Sequence, residues 1–280
     1  MYIGGHVSTR GGYKQAAMRA YDMGGTSFQY FPKNPRGLGT KAYDQTEAAR
    51  CKLYCTDHHI QSIAHSPYPT NPAVGKLKGT DLYESMVASL KNDLEIAEAC
   101  GSAGVVVHFG HAKTEDPLQS YRNVIQFMDE VLSGWSGKAK LLIENQAGDH
   151  GPMGTTMEEI VQIRNLSSHA EAIGFCLDTC HAFASGLWNG TTDDHMIQKG
   201  HETGYWAQLV AVHVNDSKYG FRSFKDRHER VGRGQIGAEG LSWLLHRQEL
   251  ADCIWVLESE KGDDGSHKDD IEQIRSWLMN

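Results

Sequence analysis

The chain of 280 residues is long enough to bury a hydrophobic core without disulfide bridges, and 40% hydrophobic with 22% charged residues excludes extensive disorder. Its 27 basic and 35 acidic residues give a net charge of −8, so binding to nucleic acid would require a local basic patch or bound cations. No apolar run is long enough for a membrane span and no signal peptide is evident, so we expect a cytoplasmic protein without membrane contact.

Short apolar runs alternate with longer amphipathic runs along the chain. Eight of the short runs are predicted to be buried strands: Tyr2–Gly5, Ser27–Phe31, Gln61–Ala64, Gly104–Val107, Lys140–Ile143, Ile173–Leu177, Leu209–Val212 and Cys253–Leu257. Helical patterns between them include Tyr13–Met23, Thr46–His58, Leu82–Cys100, Leu118–Leu132, Thr156–Asn165 and Asp269–Met279. Capping residues support two of these helices, since Thr155 or Thr156 precedes Glu158 and Glu159, close to an N-cap pattern, and Gly101 follows the longest helix.

The repeated strand–helix pattern predicts an α/β fold, a (β/α)8 TIM barrel. The alternative is an open doubly wound sheet, which is disfavoured because neither a Gly-x-Gly-x-x-Gly motif after the first strand nor a Walker loop is present. No Pro-, Ser- or Gly-rich linker divides the chain, so we expect one domain over residues 1–280.

The six cysteines are expected to be reduced and mostly buried thiols, as is usual in the cytosol. Cys51 and Cys55 lie four residues apart in a predicted helix. No second pair at zinc-ribbon spacing accompanies them, which disfavours a structural zinc site built from cysteines.

A histidine or carboxylate side chain stands at the end of seven of the eight predicted strands. These residues are His6, His65, His108, Glu144, Asp178, His213 and Glu258. The second strand lacks such a residue and leads into Lys33 and Arg36. Because the carboxyl ends of barrel strands meet at one rim, where barrel enzymes place their chemistry, we expect these side chains to converge.

The following loops add further side chains of the metal-ligand type. His181 follows Asp178 by three residues, and Asp226 and His228 are two residues apart in a stretch predicted to be extended, so they point the same way. The expected ligands are thus His65, His108, Glu144, Asp178, His181, His213, Asp226, His228 and Glu258. Nine donors exceed the needs of one zinc ion but suit two or three ions with a bridging carboxylate, an arrangement typical of phosphoester hydrolysis.

At these residues the sequence resembles the endonuclease IV family of abasic-site DNA repair enzymes, over essentially the whole chain. The segments that carry the resemblance are Gly4-Gly-His-Val-Ser8, Lys33-Asn-Pro-Arg36, His65-Ser-Pro-Tyr68, Val107-His108, Ile143-Glu-Asn-Gln-Ala-Gly148, Leu177-Asp-Thr-Cys-His-Ala-Phe183, Val212-His-Val-Asn-Asp-Ser-Lys218, Asp226-Arg-His228, Gly232-Arg-Gly-Gln-Ile-Gly237 and Leu257-Glu258. The Asp-Thr-Cys-His-Ala-Phe and Asp-Arg-His segments together are highly specific for the family.

The resemblance implies a barrel that holds three zinc ions, with Mn²⁺ as a possible substitute. The implied ligands are His65, His108 and Glu144 for the first ion; Glu144, Asp178, His213 and Glu258 for the second; and His181, Asp226 and His228 for the third. Glu144 would bridge the first two ions, which agrees with the donor count above. Two bridged zinc ions lower the pKa of a shared water toward about 7, and Glu144 is therefore the implied central catalytic residue.

The implied activity is hydrolysis of the phosphodiester on the 5′ side of abasic sites in duplex DNA, leaving a 3′-hydroxyl and a 5′-deoxyribose phosphate. Trimming of blocked 3′ ends and a monomeric state are also implied. The expected DNA-contacting residues are Lys33, Arg36, Tyr68, Lys218 and Arg227. Tyr68 and Arg36 are expected to wedge into the base stack at the lesion, although loop packing alone would also account for Tyr68. His6 is expected to hydrogen-bond a metal ligand or a phosphate.

Three segments depart from the family pattern. Glu260 follows Ser259 where the family usually has proline, Asp149 and His150 stand where it shows Gly-x-Gly, and Pro69 replaces a larger apolar residue beside Tyr68. An acidic segment also extends over residues 258–270. These departures bear on loop conformation and DNA affinity. They change no expected metal ligand, since Glu258, at the start of the acidic segment, is the residue that the family has there.

Two other functions fit parts of the pattern. A sugar isomerase or epimerase of the xylose-isomerase-like type would use only Glu144, Asp178, His213 and Glu258 with one Mn²⁺ or similar ion, and would leave five donors without a role. A non-catalytic DNA-binding protein on the same barrel would be expected to have lost a ligand, and none is missing.

Overall fold

The computed structural model describes residues 1–76, 80–112 and 116–279. The strands in these ranges are β1 (Tyr2–His6), β2 (Ser27–Tyr30), β3 (Gln61–His65), β4 (Gly104–His108), β5 (Lys140–Glu144), β6 (Ile173–Asp178), β7 (Leu209–His213), β8 (Asp216–Ser217), β9 (His228–Glu229) and β10 (Ile254–Leu257). All except β8 and β9 form a closed parallel barrel, which β10 completes by pairing with both β7 and β1. β8 and β9 form a small antiparallel ribbon after β7.

Helices surround the barrel. Those in the described ranges are α1 (Tyr13–Asp22), α2 (Gln45–Asp57), α3 (Leu82–Cys100), α4 (Pro117–Leu132), α5 (Met157–Leu166), α6 (Thr179–Ser185), α7 (His195–Thr203), α8 (Gly237–Leu245) and α9 (Lys268–Leu278). None of them combines the length and the apolar character of a membrane span. The predicted TIM barrel is confirmed and the doubly wound alternative is wrong; the eight predicted barrel strands and the six predicted helices agree with the structure to within one residue at each end.

Local signals account for several helix ends. Thr156 and Glu159 form a reciprocal capping box, in which each side chain accepts a hydrogen bond from the backbone N–H of the other. Gly101 ends α3 in the left-handed conformation, with φ of 76°. Helices α6, α7 and α8 were not predicted; α6 follows its strand with no intervening loop, and the Asp178 carboxylate caps it by accepting from the His181 N–H at 2.7 Å.

An apolar layer fills the middle of the barrel and supports the functional site. Its members are Ile63, Val106, Leu142, Cys176, Ala211, Ile254 and Val256. Side chains on a strand alternate between the two faces, so the residue two positions further along each strand also points inward. Those residues are His65, His108, Glu144, Asp178, His213 and Glu258. The period-two repeat therefore stacks a polar layer directly above the apolar one, at the carboxyl end of the barrel.

Candidate metal centre

The first group of donors comprises His65, His108 and Glu144. Glu144 Oε2 lies 3.6 Å from His65 Nε2 and 3.3 Å from His108 Nε2. The His65 and Glu144 side chains are buried, whereas His108 is partly exposed toward the cavity above. The three donor atoms are close enough together to hold one metal ion.

The second group places His213 among three carboxylates. His213 Nδ1 lies 2.9 Å from Glu144 Oε1, 3.1 Å from Glu258 Oε2 and 3.9 Å from Asp178 Oδ2. Glu144 thus directs one carboxylate oxygen to each of the first two groups. That is the arrangement required of a carboxylate that bridges two metal ions.

The third group lies beside α6 and β9. His181 Nε2 and His228 Nε2 each lie 3.2 Å from Asp226 Oδ1. Asp178 also borders this group, because its Oδ2 is 3.5 Å from His228 Nε2. Sequence reasoning assigned Asp178 to the second group alone, whereas in the structure it lies between the second and the third.

Cys180 is also near Asp226 and His228, close enough to count as a donor by distance. Its Sγ, however, donates a hydrogen bond to the Arg227 carbonyl at 3.6 Å. Burial raises the pKa of the Cys180 thiol to about 12. Because a thiolate and not a thiol is the effective ligand, Cys180 is a poor donor here. The six cysteines are all buried and free, as expected for reduced thiols.

Neighbouring charges shift the pKa values of Glu144 and His213 in opposite directions. Burial acts to raise the pKa of Glu144, but the neighbouring His213 and His108 outweigh it and hold that pKa well below its ordinary value. Burial acts to lower the pKa of His213, but Cys176, Glu258 and Glu144 outweigh it and raise that pKa well above normal. The Glu144 carboxylate is therefore ionised, and a cation is its natural counter-charge.

Three buried atoms of these groups make no hydrogen bond, because the close contacts given above lack hydrogen-bond geometry: Glu144 Oε2, His181 Nε2 and His228 Nε2. Buried polar atoms in folded proteins are nearly always paired, so orphaned atoms of this kind require an explanation. All three are donors of the type that zinc prefers, and each belongs to one of the groups above. The residues present therefore fit bound divalent metal ions.

Hydrogen bonds from behind the site fix the orientation of two histidines. His65 Nδ1 lies 2.8 Å from the Ser66 carbonyl, and His181 Nδ1 lies 2.9 Å from the Asn145 carbonyl. Because a carbonyl oxygen can only accept, each Nδ1 carries the proton and each Nε2 keeps its lone pair for the site.

Two asparagines that sequence reasoning missed hold Asp178 and Glu258 in place, through their backbone N–H groups and the Asp178 carboxylate. The Asp178 backbone N–H donates to Asn145 Oδ1 at 2.7 Å, and Asn215 Nδ2 donates to Asp178 Oδ2 at 2.8 Å. Asn215 Oδ1 also accepts from the Glu258 backbone N–H at 2.9 Å. The signal was their position, since each lies within two residues of an expected ligand in the chain.

Gln29 on β2 is the most informative missed residue. It occupies the polar layer on the one strand for which no donor was expected, and it is fully buried. Gln29 Oε1 accepts from His213 Nε2 at 2.7 Å, and Gln29 Nε2 donates to Glu258 Oε1 at 2.5 Å. His6 Nδ1 lies 3.2 Å from the same Nε2, so Gln29 links His6 to Glu258. Burial lowers the pKa of His6 to about 4, which keeps its ring neutral near pH 7.

The donor groups open into two adjoining cavities of about 370 and 320 Å³. Tyr68, His108, His181 and Asp226 line both. Tyr68 is 66% exposed at the rim, and its ring packs edge-on against Phe31 with centroids 5.2 Å apart. The metal-type donors are thus reachable from solvent through a mouth that carries an exposed aromatic ring.

The basic residues expected to contact DNA are in different surroundings. Arg36, Lys218 and Arg227 are exposed. Lys33 is not: its ammonium is buried, forms an ion pair with Asp93 and donates to the Ser89 carbonyl at 2.8 Å. The structure therefore does not bring Lys33 to the mouth, because α3 supplies a buried partner for its charge.

The geometry can be compared with known proteins. Residues 18–280 match the model of a family described as xylose isomerase-like TIM barrels. A protein of Symbiobacterium thermophilum named probable endonuclease 4 is 36% identical over 279 residues, with 100% coverage of each chain. A protein of Thermotoga maritima with the same name is 29% identical over 97% of this chain and 95% of its own.

Solved structures show the same fold. Endonuclease IV from Thermus thermophilus superposes with a TM-score of 0.85 at 28% identity, over 100% of this chain and 99% of that one. D-psicose 3-epimerase from Clostridium cellulolyticum superposes with a TM-score of 0.69 at 13% identity, over 100% of this chain and 97% of that one. At that identity the epimerase shares the barrel, and nothing further follows from the likeness.

Proposed function

Because the chain belongs to the endonuclease IV family, we propose that it is a metal-dependent AP endonuclease, which hydrolyses the phosphodiester on the 5′ side of abasic sites in duplex DNA. The proposed products are a 3′-hydroxyl and a 5′-deoxyribose phosphate, with water supplying the added hydroxyl and proton. The observation that carries the proposal is Glu144, whose two carboxylate oxygens face two separate donor groups. Paired metal sites bridged in this way are typical of phosphoester hydrolysis.

The proposed cofactors are three zinc ions per chain, which Mn²⁺ can replace. His65, His108 and Glu144 would hold the first, and Glu144, His213 and Glu258 the second. Asp178 completes the second set, and His181, Asp226 and His228 form the third. When bound, such ions activate water at neutral pH and offset the charge that develops on the phosphate.

The remaining steps belong to the protein. Glu144 sets the separation of the two sites that it faces. Arg36 and the exposed ring of Tyr68 would occupy the gap left in the base stack, which favours opening of the duplex where no base is present. Lys218 and Arg227 would contact phosphates beside the mouth and so position the backbone without reading sequence. The cavities next to Tyr68 have room for an extruded abasic sugar.

The same centre would also trim blocked 3′ ends, since that reaction too is hydrolysis of a phosphoester at a 3′ oxygen. We propose further that the protein acts as a monomer in the cytoplasm.

The test is incision of a labelled duplex that carries a single stable abasic analogue. Wild-type protein loaded with zinc is expected to make one cut, on the 5′ side of the analogue. Glu144→Gln is expected to lose incision, because it removes one charge and one bridging oxygen. Glu202→Gln, the same change on the exposed face of α7, serves as the matched control and is expected to cut like wild type.

Two results would contradict the proposal. Near-normal incision by Glu144→Gln would show that Glu144 is not the central catalytic residue. An uncut duplex with zinc-replete wild type would refute the endonuclease assignment and favour a sugar isomerase or epimerase that uses Glu144, Asp178, His213 and Glu258, for which ketohexoses with Mn²⁺ would be the next substrates.

A further inference from the structure

The side-chain amide of Gln29 makes three polar contacts inside the barrel, with His213, Glu258 and His6. Its side chain is fully buried, as is that of His213. His213 Nε2 lies 2.7 Å from Gln29 Oε1, and Glu258 Oε1 lies 2.5 Å from Gln29 Nε2. His6 Nδ1 lies 3.2 Å from the same Nε2. A single amide therefore joins the second donor group to a histidine on a neighbouring strand.

The chemistry of the three partners settles which way the amide points. A carboxylate that serves as a metal ligand can only accept, so the amide NH2 must be the group that faces Glu258 Oε1 at 2.5 Å. The amide oxygen must then face His213, and an amide oxygen can only accept. His213 Nε2 therefore carries a proton. By the same reasoning His6 Nδ1 accepts from the second N–H of the amide, which leaves the proton of the neutral His6 ring on Nε2.

His213 is held in the opposite sense to His65 and His181. Those two donate from Nδ1 to backbone carbonyls and keep Nε2 for the site. His213 instead directs Nδ1 to the site, 2.9 Å from Glu144 and 3.1 Å from Glu258. No backbone carbonyl accepts from its Nε2 in the contacts described, and Gln29 takes that place with a side chain.

We infer that Gln29 is a positioning residue of the metal centre: it fixes His213 with the proton on Nε2 and Nδ1 as the metal-facing atom, holds Glu258 beside it, and sets the tautomer of His6. The inference rests on the proposed function for the presence of the metal. It adds that the ligand geometry of the second site depends on a glutamine that touches no ion. Partners of this kind orient a ligating histidine, and their loss weakens metal affinity by roughly 10- to 100-fold.

The direct test reads the protonation of His213 in wild-type protein. Long-range ¹H–¹⁵N correlation spectra of the zinc-loaded protein are expected to show a protonated Nε2 and a metal-bound Nδ1 for His213, and the reverse for His65 and His181. A His213 bound to metal through Nε2, with its proton on Nδ1, would overturn the inference without any variant.

The second test measures zinc affinity against a competing chelator. Gln29→Met keeps the length of the side chain but removes the hydrogen-bond donor and acceptor. It is expected to lower the affinity of one zinc site by about 10- to 100-fold. Gln29→Glu keeps an acceptor for His213 and is expected to retain the wild-type His213 tautomer. Gln61→Met, the same change at the opposite end of the adjacent β3, is the matched control and is expected to bind zinc like wild type.

The outcomes separate this inference from the proposed function. If Gln29→Met binds zinc within twofold of wild type, Gln29 has no positioning role, whether or not the protein cuts DNA. If wild type binds zinc with the stated His213 tautomer but leaves abasic DNA intact, the endonuclease proposal fails and the role of Gln29 stands. If Gln29→Met does not fold, the inference is still tested by the His213 tautomer in the wild-type spectrum and in Gln29→Glu.

Discussion

The ammonium of Lys218 lies 3.3 Å from the Glu260 carboxylate, and this pair joins the loop between β8 and β9 to the loop after β10. Both side chains are well exposed, so the pair adds little to stability, about 0–1 kcal/mol. Its greater effect is on charge, because Glu260 neutralises a lysine that is proposed to contact phosphate. The acidic residue that departs from the family pattern thus acts directly on the proposed DNA surface.

We predict that Glu260→Gln tightens binding to a duplex with an abasic analogue by about two- to fivefold at low salt, the equivalent of a released surface ion pair. Fluorescence anisotropy at two salt concentrations would measure it, and the gain should shrink as salt screens the charges. Glu202→Gln is the matched control, since Glu202 pairs with Lys199 at 3.4 Å on α7. Unchanged or weaker binding by Glu260→Gln would show that Lys218 makes no phosphate contact.

Tyr68→Ala is expected to weaken binding to abasic duplex by about 10- to 100-fold, because loss of a ring stacked on a base costs roughly 1–3 kcal/mol. Zinc content should stay at the wild-type value, since Tyr68 lies at the rim and belongs to none of the donor groups. Tyr21→Ala removes a ring of similar exposure, on α1, and should leave binding unchanged. Equal affinities of Tyr68→Ala and wild type for the abasic duplex would show that Tyr68 only packs within its loop and does not contact the DNA.

The buried pair of Lys33 and Asp93 predicts a pH-dependent stability effect. Burial raises the pKa of Asp93 to about 6, although Lys33 acts to lower it. Because this value exceeds the unfolded one of about 3.9, the folded state binds the extra proton, and the contribution of Asp93 to stability falls as pH rises from about 4 to about 6. Removing Lys33 leaves the carboxylate buried without its counter-charge.

Lys33→Met should therefore lower the free energy of unfolding by about 3–5 kcal/mol at pH 8 and by less at pH 5, where Asp93 is protonated. Denaturant titrations at both values would measure the difference from wild type. In an Asp93→Asn background the loss caused by Lys33→Met, measured against Asp93→Asn alone, should be the same at pH 5 and pH 8, because no carboxylate titrates there. A loss that is equal at pH 5 and pH 8 would contradict this account of the pair.

Removal of metal is expected to destabilise the protein, because the ionised Glu144 and its neighbours then face one another without their counter-charge. Re-addition of zinc at about 1,000 times its dissociation constant should restore roughly 4 kcal/mol, or about 10 °C in Tm. Mg²⁺ should not, since it prefers oxygen ligands and the centre is rich in imidazole. Elemental analysis is expected to give three zinc ions per chain; a single ion would favour the isomerase alternative.

The sequence was sufficient for the architecture and for most of the donors. Strand and helix positions follow from local periodicity, which depends only on residues close together in the chain. The convergence of His65, Glu144 and Asp178 also followed, because the carboxyl ends of parallel barrel strands must meet at one rim. Residue type then marked these side chains as candidate ligands before any contact was known.

Gln29, Lys33 and Asp178 took their roles from contacts across the fold. Glutamine is not a ligand type, and nothing near Gln29 in the chain indicates that His213, 184 residues away, needs an acceptor for its Nε2 proton. From the sequence, Lys33 is predicted to be a surface cation, but in the folded protein α3 places Asp93 beside it. Asp178 proved to border two donor groups because β9 folds back over it. Local pattern decides which face a side chain occupies, whereas the partner of a buried polar atom is decided only when distant segments pack together.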